Sequence, residues 1–169
     1  MIFIGIISEE NNENRIRRFL LEKLSWPESS ILCIKEKSIE NIKNIRFETI
    51  LLAKQFKNVE ALKNILKHTT YLVSNVDIEQ NWEILKDLEL TVITYGFNSK
   101  ATITASSVEE DQVMVCLQRT MKTREGKEME PQEIQMEKLE SVNDTMGVTG
   151  ILWLYDKIKW VKESKICIK

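Results

Sequence analysis

Apolar and polar positions along this chain follow two different rhythms, and the change between them divides the sequence. In the first hundred residues, short unbroken apolar runs alternate with stretches whose apolar residues recur at helical spacing. Ile2 to Ile7 is the first such run and predicts a strand covered on both faces. The stretch after it places Ile16, Phe19, Leu20 and Leu24 on one helical face, and Trp26-Pro27 closes it because proline disfavours helical geometry in the residue before it. Ile31 to Ile34 predicts a second strand, followed by a helix capped by Ser38 that presents Ile39, Ile42 and Ile45. Thr49 to Ala53 is the third strand, and a helix near Asn58 to Lys67 buries Val59, Leu62, Ile65 and Leu66. Tyr71 to Val73 is the fourth strand, a helix near Gln80 to Asp87 turns Trp82 and Leu85 inward, and Leu90 to Tyr95 is the fifth.

After Gly96 the period drops to two. Thr102 to Ser107, Val113 to Arg119 and Glu133 to Lys138 alternate apolar with polar positions, as antiparallel strands with one solvated face do. Gly126 supplies a positive-φ position in the longer of the turns between them. A last helix runs from Asn143 to about Glu163 and buries Val148, Ile151, Leu152, Tyr155, Ile158 and Val161, with a tail that adds an edge strand or frays. Strands alternating with helices, then a short antiparallel run, predict a three-layer α/β domain. Its sheet is mostly parallel and Rossmann-like, with helices on both faces and a small antiparallel β unit. The divisions expected are 1–100 for the parallel part, 101–140 for the antiparallel strands and 141–163 for the closing helix.

Composition narrows the picture. With 169 residues, 43% of them hydrophobic, the chain suits one domain with a substantial core. Lys and Arg number 24 against 26 Asp and Glu, a net charge of -2 that offers no field for nucleic acid or an anionic membrane. Cys33, Cys116 and Cys167 are widely spaced and read as small core residues in a reducing compartment. No apolar run approaches the ~20 residues of a membrane span, and the start lacks the features of a signal peptide. A cytoplasmic location is expected.

The residues Asn75-Val76-Asp77, then Thr94-Tyr95-Gly96-Phe97, then Ala101 to Ser106 as the first alternating strand, carry a resemblance. In that order they resemble the central, ATP-binding domain of the Mur ligases, and Val142 to Leu154 resembles that domain's closing helix. The likeness implies the same three-layer fold and a nucleotide pocket at the carboxyl edge of the sheet. Where that family has a Gly-Thr-x-Gly-Lys-Thr/Ser phosphate loop, this chain reads Gly5-Ile6-Ile7-Ser8-Glu9-Glu10-Asn11, with no lysine and two carboxylates. At the family's metal-binding stretch it reads Leu51-Leu52-Ala53-Lys54-Gln55-Phe56. The resemblance thus implies a degenerate phosphate loop and a cut-down relative without ligase activity: a non-catalytic binding or regulatory module, with a link to the cell envelope by analogy. The alternative is a nucleotide- or adenosine-binding enzyme that uses what remains of the pocket. No cofactor, no metal site and no catalytic residue is expected.

Candidate ligand-binding residues are Asn75 and Asp77 after the fourth strand, Tyr95 at the end of the fifth, and Asn143, which contacts adenine if the analogy holds. Each has a plainer role: a turn for Asn75, a helix cap for Asp77, core packing for Tyr95 and an N-cap for Asn143. His68, the sole histidine, falls at the end of a helix and reads as structural or exposed. Ser8-Glu9-Glu10 reads as a solvated loop before a helix, and Lys122, Arg124 and Lys127 as a hairpin tip diluted by glutamates. Trp153, Tyr155 and Trp160 on the last helix are too far apart in angle to share one core. One of the tryptophans is therefore a candidate contact for a protein partner or a second copy.

Overall fold

The computed structural model describes residues 1–158. In chain order the elements are β1 (Ile4–Ile7), α1 (Glu13–Leu24), β2 (Ile31–Cys33), β3 (Thr49–Leu52), α2 (Val59–Leu66), β4 (Tyr71–Asn75), α3 (Glu79–Leu85) and β5 (Thr91–Tyr95). They are followed by β6 (Ile103–Val108), β7 (Gln112–Leu117), β8 (Met121–Lys122), β9 (Glu128–Met129), β10 (Gln132–Glu137) and α4 (Val142–Leu154). Eight strands form one sheet in the order β10-β7-β6-β5-β4-β3-β1-β2, and β8 pairs with β9 in a separate antiparallel ribbon. Pairing is parallel from β2 through β6 and antiparallel from β6 through β7 to β10. The antiparallel strands therefore extend the main sheet, and only the β8–β9 hairpin stands apart from it.

Two cores flank the sheet. On one side α1 and α4 pack over Ile4, Ile6, Leu51, Val73, Ile93, Tyr95, Ile103 and the inward residues of β7 and β10. On the other, α2 and α3 close over Ile7, Ile50, Leu52 and Leu72. Successive side chains of a strand leave on opposite faces, which sends Ile4, Ile6, Leu51 and Val73 to the first core and Ile7, Ile50, Leu52 and Leu72 to the second. The unbroken apolar runs mark the strands that both cores cover.

Three helical expectations are corrected. The segment after Ser38 is a short 3-10 turn, Ile39–Ile42, and the Ser38 hydroxyl bonds back to the Lys35 carbonyl instead of capping a helix. In α3 the residues turned inward are Asn81 and Ile84, one step from the expected Trp82 and Leu85, which are half-buried. Asn81 goes inward because its amide donates to the Asn75 carbonyl at 2.9 Å, and the Trp82 indole donates to the Val76 carbonyl at 2.7 Å. A polar residue with a waiting buried acceptor displaces an apolar one from the core-facing position.

The last helix differs most. Every residue of α4 from Asp144 to Leu154 is buried, where one apolar face was expected. Gly147 and Gly150 lie against the sheet, with the Tyr95 ring and Leu51 below the first and Ile103 and Val73 below the second. α4 ends at Leu154, well short of Glu163, and Asp156 has a left-handed φ of 56°. Trp153 is fully buried, so it is not available as a partner contact; Trp160, Val161 and Cys167 lie outside the described residues. Behind the helix end, Tyr155 shares a hydrogen bond with Thr49 at 2.7 Å and donates to Glu48 at 3.2 Å, while Arg124 pairs with Glu48. Lys127 reaches Asp156 at 3.4 Å, so the basic hairpin tip is pinned to the end of α4. Among the described residues, no helix is long and apolar enough to cross a membrane.

Candidate functional site

In an open α/β sheet a ligand crevice forms beyond the carboxyl ends of the strands, where the strand order reverses direction. Here the chain runs from β1 outward to β2 and then returns to β3 on the other side of β1, so the reversal lies between β1 and β3. Two helices begin at that edge. α1 starts after the loop that leaves β1, and α4 runs back over the sheet with its first turn at the same end.

The two helix starts are tied together. Asn12, at the N-cap of α1, donates its side-chain amide to the Asp144 carboxylate at 3.0 Å, and Arg15 forms an ion pair with Glu140 just before α4. The N-cap of α4 is Ser141, whose hydroxyl accepts from the Asp144 N–H at 3.0 Å, while Thr145 accepts from the Leu139 N–H at 3.0 Å. Asn143 is therefore not the cap. It lies in the first turn, and its buried Oδ1 has no hydrogen-bond partner in the protein. Ser8 continues the face of Ile4 and Ile6 beyond β1 and is 2% exposed. Glu9 and Glu10 are exposed, and Glu13 is buried with Lys35 at 3.0 Å.

Asp144 is 5% exposed. Loss of hydration raises its carboxyl above the usual range, the negative charge of Glu9 adds to this, and the bonds from Ser141 and Asn12 work against it. Tyr95, at the end of β5, lies under α4 beside Gly147, and its hydroxyl has no protein partner. Burial holds this phenol far above its ordinary titration range, and the charges of Asp144 and Asp77 push the same way.

The remaining sequence candidates serve the loops. Asn75 is 4% exposed and accepts from the Asp77 N–H at 3.0 Å, the expected turn. Asp77 does not cap α3. Its two oxygens accept the N–H groups of Phe97 and Asn98 at 2.8 and 3.1 Å, tying the β4 loop to the β5 loop. Gly96 has a φ of 148°, and the Asp77 carboxylate occupies the space where a Cβ would stand. Three of the four candidates, Asn75, Asp77 and Tyr95, thus gather at the ends of β4 and β5. Asn143 comes from the first turn of α4 on the same edge.

Asn12, Ser141 and Asp144 were not foreseen as a group. The spacing of Ser141 to Asp144 is a capping pattern visible in the sequence. The pairing of Asn12 with Asp144 spans 132 positions and has no local signal. His68 is exposed just beyond α2, and Cys33 and Cys116 are half-buried free thiols. Burial is the main reason both thiols are raised, which favours the unreactive protonated form. Among the described residues, no three His, Cys, Asp or Glu side chains converge in a way that would hold a metal ion.

Clefts of about 450, 440 and 420 Å³ lie elsewhere. One is under the β8–β9 hairpin, one between the Ile39–Ile42 turn and α2, and one around Met1 to Phe3. The first of these has Arg124 on its wall, already paired with Glu48, and none of the three gathers the polar groups without partners described above. No family model matches the chain, and no curated protein matches it.

Proposed function

We propose that this chain is a non-catalytic binding or regulatory module with a scaffold similar to the central domain of the Mur ligases, without ATP-dependent ligation. The observation that carries this reading is the Asp144 carboxylate, held by Asn12 at the start of α1 with Glu9 close by. A helix start attracts a phosphate by about 0.3–1 kcal/mol at an exposed site and up to about 2 kcal/mol when partly buried. Two like charges 4 Å apart repel by about 4 kcal/mol at an effective dielectric near 20. Repulsion therefore wins, and the loop after β1 disfavours a polyphosphate. The cytoplasm remains the proposed location, and the envelope link is an analogy of fold.

The second reading, a nucleotide- or adenosine-binding enzyme, draws support from the unpartnered Asn143 Oδ1, an acceptor suited to an exocyclic amine. Calorimetry with adenosine, AMP and ATP, with and without Mg²⁺, separates the two. The binding-module reading expects affinity to fall, or to stay undetectable, as phosphates are added. ATP binding more tightly than adenosine would overturn it.

A further inference from the structure

A cleft of about 450 Å³ separates the first residues of β5 from the β8–β9 hairpin, and both of its walls are strand edges. In β5, the Thr91 N–H donates to the Thr70 carbonyl at 3.1 Å and the Tyr95 carbonyl accepts from the Val76 N–H at 2.9 Å, so the odd-numbered residues bond to β4. Alternate residues of a strand turn their N–H and C=O groups to opposite neighbours, which directs Val92 and Thr94 to the β6 side. β6 comes too late to meet them fully. It pairs with β5 at Tyr95 and Ile103, where the Gly96 N–H donates to the Ile103 carbonyl at 3.1 Å. The N–H and C=O of Val92 and the N–H of Thr94 therefore have no strand opposite them, and Val92 lines the cleft.

The hairpin repeats the pattern from the other side. The Thr123 N–H donates to the Lys127 carbonyl at 2.9 Å, and Met121 and Lys122 stand opposite Met129 and Glu128. Thr123 and Met121 thus bond toward β9, and Lys122 turns its N–H and C=O away from it, on the side of the cleft that it lines. Side-chain facing agrees between the two walls, since Met121 and Ile93 both belong to the core under α4. Lys122 is exposed. Two open strand edges with matching faces and a cleft between them are a template for one more strand.

The charge of the occupant follows from the lining. Lys122 and Arg124 are the charged side chains of the cleft wall, and no acid lines it. Arg124 is committed to Glu48 and Glu125. Lys122 is in no ion pair among the described residues, although Glu128 stands opposite it in the ribbon. We propose that an extended segment of a partner polypeptide, with apolar and acidic residues alternating, inserts between β5 and β8 and bonds through its backbone to Val92 and Lys122. Its apolar side chains join Ile93 and Met121, and a carboxylate on the opposite face meets the Lys122 ammonium. Thr91 to Thr94 offer a run of about 13 Å, at ~3.3 Å per residue, before β6 closes the gap, so the inserted piece is short. The cleft lies at the amino edge of the sheet, beside the first residues of β4 and β5, and the inference goes beyond the reading of the loop after β1.

The test titrates the full chain, labelled with ¹⁵N, with the blocked peptide acetyl-Val-Glu-Val-Glu-Val-amide. Saturable amide shifts are expected at Val92, Thr94 and Lys122, and hydrogen exchange at these amides should slow by about tenfold or more once the site is filled. The same peptide with proline at its centre has lost a ladder donor and should bind about tenfold more weakly. Lys122→Glu alters an exposed side chain; it should weaken the acidic peptide by about tenfold and favour acetyl-Val-Lys-Val-Lys-Val-amide in its place.

Absence of saturable shifts at Val92 and Lys122 with millimolar peptide, or equal binding by the proline peptide, overturns the proposal. Sodium acetate that reproduces the Lys122 shifts without slowing exchange at Val92 reduces the site to a small-anion contact and overturns it as well. Protection of Val92 and Lys122 that appears without peptide and rises with protein concentration gives the cleft to a second copy of the chain, which overturns the assigned partner. None of these results bears on the ATP comparison, which probes the opposite edge of the sheet.

Discussion

Gly147 offers the sharpest check on how α4 sits on the sheet. A Cβ at this position would stand 3.0 Å from Leu51 Cδ1, 3.0 Å from Tyr95 Cζ and 3.1 Å from the Tyr95 hydroxyl oxygen. Carbon atoms rest about 3.5–4.0 Å apart at the optimum, so each neighbour would have to retreat by about half an ångström. Leu51 and Tyr95 are both fully buried in a packed core. Overpacking of this kind costs about 1–3 kcal/mol. Against it stands the helix preference for alanine over glycine, about 0.8–1 kcal/mol.

Overpacking is the larger of the two, and Gly147→Ala should destabilise by about 1 kcal/mol, or ~2–4 °C in melting temperature for a domain of this size. Urea unfolding followed by circular dichroism and tryptophan fluorescence measures this. Tyr95→Phe removes one of the three close atoms together with a hydroxyl that has no partner, so alone it should be neutral or stabilising by up to about 1 kcal/mol. In that background Gly147→Ala should be milder, with a coupling of about 0.5 kcal/mol. Stabilisation by Gly147→Ala alone would refute the reasoning, since it would mean that α4 stands off the sheet and only helix propensity is felt.

Further outcomes are expected elsewhere. Gly96→Ala combines a φ of 148° with a clash against the Asp77 carboxylate; about 2–3 kcal/mol of stability should be lost, read by the same unfolding curves. Ser141→Ala removes the N-cap bond to Asp144 and should cost about 1 kcal/mol, whereas Asn143→Ala, which removes no cap, should cost little. The Asp144 carboxyl is raised in the fold, so its contribution to stability is fully present below the unfolded value of about 3.9 and is lost as pH rises through the folded value. Asp144→Asn lacks that loss, and its melting temperature relative to the parent should climb between about pH 3.5 and pH 7. A constant gap would contradict the linkage.

Strand existence and facing were legible because both are local. The alternation in Gln112–Leu117 and Gln132–Glu137 places Val113, Val115, Ile134 and Met136 in the core, as their period demands. Strand order was not legible, since β1 pairs with β3 across the whole α1–β2 excursion and no local pattern states the partner. For the same reason the reversal between β1 and β3, and the meeting of Asn12 with Asp144, emerged only in three dimensions. Asn75, Asp77, Tyr95 and Asn143 do lie at the carboxyl edge of the sheet or in the first turn of α4, because that depends only on where strands end and helices begin. The face of α3 was misjudged by one residue because a buried hydrogen bond from Asn81 outweighed the larger apolar area of Trp82. The complete burial of α4 was hidden by its composition, as Thr145, Thr149 and the two glycines read as a polar side although they lie inside. Both threonine hydroxyls bond back to carbonyls one turn earlier, at 2.9 and 2.6 Å, and so need no water.

Because α4 follows all ten strands in the chain, a ribosome completes the sheet before it makes the helix that roofs one side of it. Until residue 154 has left the exit tunnel, Val73, Ile93, Tyr95 and Ile103 have no cover, and a nascent chain in that condition is a natural client for chaperones that hold apolar surface. Adoption of the native arrangement is thereby deferred until α4 has been made, and a message truncated before codon 141 would yield a product whose bare sheet seeks other copies of itself.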